Sequence, residues 1–408
     1  MAKILLIRQG HYPLDARLNR EIVALTGAGH EVDLICAGFP GQPRSERAPG
    51  LRVQRVPISR RRGGPLRYVL EFALFHAAAT FVAAALHLRR RYDVVQVNSI
   101  PDSLVFAAIV PRLLGARVLL DLCEVMPEFF VTKYGLRPTH PIVRLLGFLE
   151  QASIRFASYA ITCTEQMRER FVERGASRDK IGVILLAANE ERYDPDRIPP
   201  APRQADRLVL ICHGTLEEFF GVDTVIRAVA LLKDEIAGLE LKVYGDGLFR
   251  PRLESLATEL GVTDRVHFSG GWAPLPELLA ALASADAGVV ATKRDAFRDL
   301  THTNKMWELI AMRKPAIVSR TRSVEAYFDD SCFQLFESAN EHDLARAIRE
   351  LHADPELGAR LARRAAEVSE PYRWVHQRRR YLDAVERLAG AKARGQARRV
   401  TAEVVNDP

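Results

Sequence analysis

Cysteine is scarce in this 408-residue chain. Cys36, Cys123, Cys163, Cys212 and Cys332 are widely spaced and form no CxxC pair. An odd, dispersed set argues against a disulfide framework and a structural zinc site, and it suits a reducing cytoplasm. The amino terminus, Met-Ala-Lys-Ile-Leu-Leu-Ile-Arg, carries too short an apolar run for a signal peptide and reads as a buried first strand. The basic residues show neither interleaved aromatics nor a recognisable module, which excludes nucleic acid as an expected partner. Acidic residues are also short in one place. Residues 1–150 hold 20 Lys or Arg against 12 Asp or Glu, so this third accounts for the whole formal charge of +7. That imbalance suits an anionic partner for the amino-terminal end, a membrane surface or a phosphorylated substrate, or else a solvated Arg-rich face.

With 48% hydrophobic and 27% charged residues the composition is that of a globular protein, and the length calls for two or three domains. Residues 3–8 read as a strand, 15–26 as an amphipathic helix closed by Gly27 and Gly29, and 31–36 as the next strand. This order opens a doubly wound parallel sheet, continued by strands near 94–98, 117–122 and 159–163. Residues 194–206 (DPDRIPPAPRQAD) hold four prolines and read as a linker. A second β/α series follows, with strands at 208–213, 239–244, 266–269, 287–292 and 315–319 and helices between and after them. The expected organisation is a first domain at 1–192, a linker at 193–206, a second domain at 207–370, a helix at 371–388 and a flexible tail at 389–408. In such sheets ligands lie beyond the carboxyl ends of the strands.

Three segments sit at those ends. Gly10 and His11 follow the first strand, where a glycine lets backbone approach a ligand, although an ordinary tight turn reads equally well. Asp121-Leu122-Cys123-Glu124 closes another strand, and an acid there is either functional or a helix cap. The third, 301–308 (THTNKMWE), runs from a polar loop into a helix. Thr303 is a candidate cap, and the free N–H groups behind it, with Asn304 and Lys305, suit a diphosphate. Glu308, one turn on, could accept hydrogen bonds from a ribose diol; a solvated Asn/Lys/Glu face is the plainer alternative.

Taken together, these segments resemble the retaining glycosyltransferases of family 4. The resemblance rests on residues 10–20, Gly29-His30-Glu31-Val32, residues 93–98 with Pro101-Asp102, 121–128 (DLCEVMPE), 243–247 (VYGDG) and 304–315 (NKMWELIAMRKP). It implies the α/β fold called GT-B, two facing Rossmann-like β/α/β domains with a cleft between them. It implies acceptor contacts at Gly10, His11, Asn98 and Asp102, and donor contacts at Gly214, Thr215, Gly245, Asp299, Thr303, Asn304, Lys305 and Glu308. It implies catalytic roles for Cys123, Glu124 and Lys305. The substrate is then a UDP- or GDP-linked sugar, with no other cofactor and no metal, and the acceptor is lipid-linked or a glycan. The final helix, with Trp374 and Tyr381, is expected to return to the first domain. The sequence departs from the pattern at Thr215, Phe219 and Phe220, where basic residues are usual. It departs also at Leu300 beside Asp299 (an acid), Cys123 (a His) and Arg313 (a Gly). Lys293, Arg294 and Lys305 are the cations that could compensate. A non-catalytic partner or scaffold of the same fold is the competing reading; a nucleotide-sugar epimerase would need acids and His that are not evident.

Residues 72–88 (FALFHAAATFVAAALHL) carry no Asp, Glu, Lys or Arg and lie between Arg60–Arg62 with Arg67 and Arg89–Arg91. The run is short for a membrane span and sits inside an α/β domain. It is expected to be either a core helix or a surface helix, within 66–91, resting on anionic lipid at the inner face of a membrane.

Overall fold

A computed structural model describes residues 1–39, 41–58, 65–198 and 207–405. Arg60–Arg62 and residues 199–206 of the proline-rich stretch lie outside the described residues. The chain divides into two compact units, Met1–Leu185 with Gln377–Pro408, and Leu186–His376.

The first unit begins with β1 (Lys3–His11), α1 (Ala16–Gly27), β2 (Glu31–Ala37), β3 (Ser45–Ala48), β4 (Leu51–Val56), α2 (Pro65–Arg90) and β5 (Val94–Asn98). It continues with α3 (Ile109–Leu113), β6 (Arg117–Leu122), α4 (Met126–Tyr134), α5 (Pro141–Phe156), β7 (Tyr159–Thr162), α6 (Glu165–Glu173) and β8 (Ile181–Val183). Its eight strands run in the order β3-β4-β2-β1-β5-β6-β7-β8, all parallel except the β3–β4 pair. Helices must cover both faces of a parallel sheet, so its central strand β1 holds a continuous apolar run. Ile4, Leu5, Leu6 and Ile7 are accordingly all fully buried.

The second unit holds β9 (Leu208–His213), α7 (Val222–Leu232), β10 (Leu239–Tyr244), α8 (Arg250–Glu259), β11 (Val266–Phe268), α9 (Leu275–Ser284) and β12 (Ala287–Val290). Then come α10 (Asn304–Ala311), β13 (Ala316–Ser319), α11 (Arg322–Glu325), β14 (Gln334–Phe336), α12 (Glu341–Ala353) and α13 (Pro355–Ser369). Its six-stranded sheet is wholly parallel, in the order β11-β10-β9-β12-β13-β14. In each sheet the order reverses beside the first strand, between β1 and β5 and between β9 and β12. Such a reversal leaves a crevice at the carboxyl ends.

The boundary between the units differs from the one expected at 192. Leu186, Tyr193 and Ile198 pack on the Trp307 side of the second core, so the stretch after β8 already belongs to that unit. The last helix, α14 (Trp374–Val405), continues through the expected flexible tail; Ala, Arg, Lys and Gln there are good helix formers. From Gln377 onward it groups with the first unit. Tyr381, Ala384, Val385 and Leu388 form its buried stripe, and the Tyr381 hydroxyl donates to Gln96 Oε1 at 2.7 Å.

α2 is only partly a core helix. Phe75, Ala79, Ala83 and His87, four residues apart, are fully buried. Val69, Leu70, Leu74, Phe81 and Leu88 are exposed, Phe81 by 76%. By length and composition Val69–Arg90 could cross a membrane, yet one stripe of it is packed into the unit.

Candidate active site

In the second unit the site is built on glycine. Gly245 follows β10 with φ of 149°, and a Cβ there would overlap the Gly214 carbonyl oxygen. Gly214 follows β9 with φ of 100°; its N–H donates to Tyr244 O at 2.8 Å, and a Cβ would lie 2.7 Å from Lys305 Cε. Only glycine lets the two loops and the Lys305 stem come this close. Thr215 beside them is exposed.

α10 brings its first turn to these loops. Thr303 caps it, its hydroxyl accepting from Lys305 N at 3.1 Å, and Asn304 is exposed. The helix ends with Arg313 N–H donating to Ile310 O and Lys314 N–H to Leu309 O, a turn that places Arg313 at φ of 52°. The conformation is one glycine adopts most easily, which explains why a glycine is usual where Arg313 stands.

Glu308 and His213 meet at 2.7 Å, Nε2 donating to the ionised Oε2. Burial pushes the Glu308 carboxyl up, but His213, Tyr193 and Lys305 outweigh it and hold it below the ordinary glutamate value. Burial pulls the half-buried Lys305 ammonium down to about 7; Glu308 opposes that fall and Arg298 adds to it. Among the described residues Lys305 makes no ion pair within 4.0 Å. The other cations expected to compensate are engaged, Lys293 with Asp223 at 2.8 Å and Arg294 with Asp299 at 2.9 Å. Asp299 also accepts from Arg322 N–H, so it fastens loops instead of facing a donor.

In the first unit, β1 ends at Gly10 and His11. His11 stacks on Phe39 with ring centres 3.8 Å apart. Gly10 makes room for an ion pair, since a Cβ would lie 2.9 Å from Asp15 Oδ2 and 3.1 Å from Arg8 Cγ. Asn98 is fully enclosed, donating to Glu21 Oε2 at 2.8 Å and Asp121 Oδ2 at 2.7 Å. Asp121 in turn holds Arg17, which donates from Nε at 2.7 Å. Asp102 is also buried, and burial, with Glu150 adding to it, raises its carboxyl to about 8. The expectation that Asn98 and Asp102 touch an acceptor is therefore corrected: both side chains are buried. Cys123 is only partly buried; its sulfur lies 3.4 Å from Arg8 Nη1, and burial pushes the thiol well above its usual range despite Arg17 and Arg8. Glu124, half-buried, lies in the turn that leads into α4.

The sequence reading did not single out His213 as the Glu308 partner, Tyr193, or Arg298. His213 ends an apolar strand, which was an available signal. Tyr193 lay inside the supposed linker, and Arg298 lay in a loop without a pattern.

Two parallel α/β units, each with a crevice at its strand reversal and glycine loops facing a Lys/Glu-bearing helix, define the GT-B class of glycosyltransferases. Residues 15–187 match the glycosyl transferase 4-like domain and residues 207–354 the glycosyl transferases group 1 domain. The chain belongs to the family-4-like glycosyltransferases. It is 28% identical over 285 residues to the 2-deoxystreptamine glucosyltransferase of Streptomyces kanamyceticus, covering 64% of this chain and 70% of that protein. It is 30% identical over 240 residues to the lipopolysaccharide core biosynthesis glycosyltransferase LpsD of Rhizobium meliloti, covering 57% and 62%. Among solved structures, sucrose-phosphate synthase from Thermosynechococcus elongatus superposes with a TM-score of 0.75 at 19% identity, over 96% of this chain and 100% of that one. HepE from Anabaena in complex with UDP-glucose does so with 0.69 at 17%, over 95% and 100%.

Proposed function

We propose that the chain moves a sugar from a UDP- or GDP-linked donor to a lipid-linked or glycan acceptor, with retention and without a metal ion, in cell-envelope or exopolysaccharide assembly. The observation that carries this reading is the meeting of Lys305, Glu308 and the Gly214 and Gly245 loops at the carboxyl ends of β9 and β10. Glu308, kept ionised by His213, accepts from the donor ribose. Lys305 meets the diphosphate as the leaving group gains charge, a task that fixed cations perform without a metal. Gly10 and His11 face the acceptor. HepE, solved with UDP-glucose, supports a nucleotide-sugar donor, and LpsD, named for lipopolysaccharide core biosynthesis, is in keeping with an envelope acceptor.

Thermal shift and calorimetry with UDP, GDP and their sugars test the donor. A nucleotide should bind, and Glu308→Gln should weaken it by roughly 10–100-fold, the worth of a hydrogen bond to a charged group. Its melting temperature should stay close to that of the parent. No nucleotide bound at millimolar concentration would remove the donor reading, and a collapse in melting temperature would make Glu308 a structural residue. The anomeric configuration of the product, read by NMR, tests retention.

The same reading rests the first unit on the cytoplasmic face of a membrane. The exposed apolar residues of α2 adjoin α3, where Ile109 and Leu113 are also exposed, and Arg89, Arg91 and Arg112 lie close in sequence. Each such cation near anionic lipid is worth about 1 kcal/mol, and salt screens it. Sedimentation should show binding to anionic but not neutral vesicles, falling as salt rises and lost in Leu70→Asp/Phe81→Asp. Equal binding to both vesicle types would leave the apolar surface alone as the cause, and no binding to either would end the proposal.

A further inference from the structure

Phe219 and Phe220 occupy the β9–α7 loop at the edge of the donor site, with ring centres 4.6 Å apart and tilted by 57°. The loop is pinned on both sides. Lys293 N–H donates to Phe219 O at 2.8 Å, and a Cβ on Gly221, at φ of 67°, would overlap the Ala291 carbonyl oxygen. Two cations sit on these rings. The Arg298 guanidinium carbon lies 4.1 Å from the centre of Phe219 and 5.1 Å from that of Phe220. Lys305 Nζ lies 3.2 Å from the centre of Phe220.

An aromatic face attracts a cation, but one ring shared by two cations also holds them close enough to repel each other. The low local dielectric of a half-buried site strengthens that repulsion, and it is one cause of the depressed Lys305 ammonium. The neighbouring Lys293 and Arg294 have carboxylates at salt-bridge distance, whereas Lys305, among the described residues, has none. An anion at the shared Phe220 ring would lie within reach of both charges. A diphosphate fits the pair in form. Its adjacent phosphates offer one group to the point charge of Lys305 and another to the planar fork of Arg298, which is suited to two parallel hydrogen bonds.

We propose that Arg298 is a second diphosphate-binding residue of the donor site, seated with Lys305 on a shelf formed by Phe219 and Phe220. The inference rests on the donor reading given above and adds to it a residue and a role for the aromatic pair. The positive charge at the β9 loop then comes from Arg298, between β12 and α10, and Lys305, in the first turn of α10, and the rings fix where it stands.

Calorimetry with UDP, UMP and uridine, and with GDP, GMP and guanosine, separates the contributions of diphosphate and nucleoside. The parent protein should bind the diphosphate of one series more tightly than its nucleoside. Arg298→Ala should weaken that diphosphate by roughly 10–100-fold and leave the nucleoside within about twofold, because only the phosphates lose a charged partner. Arg298→Lys should recover part of the loss. Phe219→Leu/Phe220→Leu, which keeps apolar bulk and removes the rings, should cost the diphosphate several-fold. Unchanged diphosphate affinity in Arg298→Ala would overturn the proposal. So would an equal loss of nucleoside and diphosphate with a lowered melting temperature, which would make Arg298 a strut of its loop. A parent protein that binds neither UDP nor GDP would remove the donor reading itself, and this proposal with it.

Discussion

Lys305→Ala is expected to lower kcat/KM by about 10²–10³, the usual cost of removing one stabiliser of transition-state charge. The ammonium lies over Phe220 and against Gly214, at the mouth of the β9 loop, where negative charge grows on a departing diphosphate. Lys293→Ala and Arg294→Ala should cost far less, since those cations are held by Asp223 and Asp299. A pH dependence should accompany the effect. In the free protein burial holds Lys305 at about 7, so it is charged below that pH and loses its proton above it. A bound diphosphate favours the charged form and raises the value, so binding takes up a proton. Affinity should therefore be greatest below pH 7 and fall by up to about tenfold per unit above it, until the pH passes the Lys305 value in the complex. The charged or titratable neighbours are Glu308 on α10, its partner His213 at the end of β9, Arg298 in the preceding loop and Cys212 on β9. Burial pushes the Cys212 thiol up to about 12, so it stays neutral, and Glu308 is held ionised. Calorimetry in buffers of different ionisation enthalpy counts the protons, and subtraction of the Lys305→Ala profile removes the nucleotide's own titration. An alanine variant with turnover within threefold of the parent, or with the same proton uptake, would place the diphosphate elsewhere.

Gly245→Ala is expected to be among the most damaging single methyl groups in the second unit. Its φ of 149° lies where side chains are strained, at a cost of about 1–3 kcal/mol. The added Cβ would also overlap the Gly214 carbonyl oxygen, which is backbone and cannot turn aside. A total near 3 kcal/mol lowers the melting temperature of a unit this size by roughly 10 °C. Nucleotide binding should be lost even at temperatures where the variant is folded, because the Gly214 and Gly245 loops can no longer lie against each other. Gly29→Ala is the comparison. That residue also has positive φ, 79°, but a Cβ there would meet nothing within 4 Å, so strain alone remains. Thermal melts of the two variants should differ accordingly; equal shifts would mean that the loop contact contributes nothing.

Much of the fold was legible because the inner parallel strands are largely apolar and their helices amphipathic. β1, β5, β6 and β9 hold short apolar runs closed by polar or glycine residues, and a run of that kind has few other uses, while β10 alternates apolar and charged residues. The short elements β3, β8, β14 and α11 went unrecognised, as did the six-residue β4, whose Arg52, Gln54 and Arg55 break the apolar run expected of a buried strand. The first part of the proline-rich stretch was misplaced for a different reason. Composition marks where a chain is irregular, but it does not say which core Tyr193 and Ile198 will join.

The site divides in the same way. Thr303, Lys305 and Glu308 stand out in the sequence as a cap before a helix, a cation in its first turn and an acid one turn on, whereas Gly214 and Gly245 are singled out only by the family resemblance. Whether a charge is available is a different matter, since it depends on partners far away in the chain. Lys293 and Lys305 look alike in sequence, yet Asp223, 70 residues distant, holds the first, while the second lies on Phe220, 85 residues away. Asn98, an acceptor contact by the resemblance, is enclosed by Glu21 and Asp121, partners that lie far from it in the sequence. The sequence by itself determined the two parallel sheets, their glycine loops and the helix that carries Lys305 and Glu308, because apolar period and backbone sterics act over a few residues. The tertiary structure alone decided which cations carboxylates hold, which acids are enclosed and which cations lie on Phe219 and Phe220. Burial and Coulomb interactions depend on distances that the chain acquires only when it is folded.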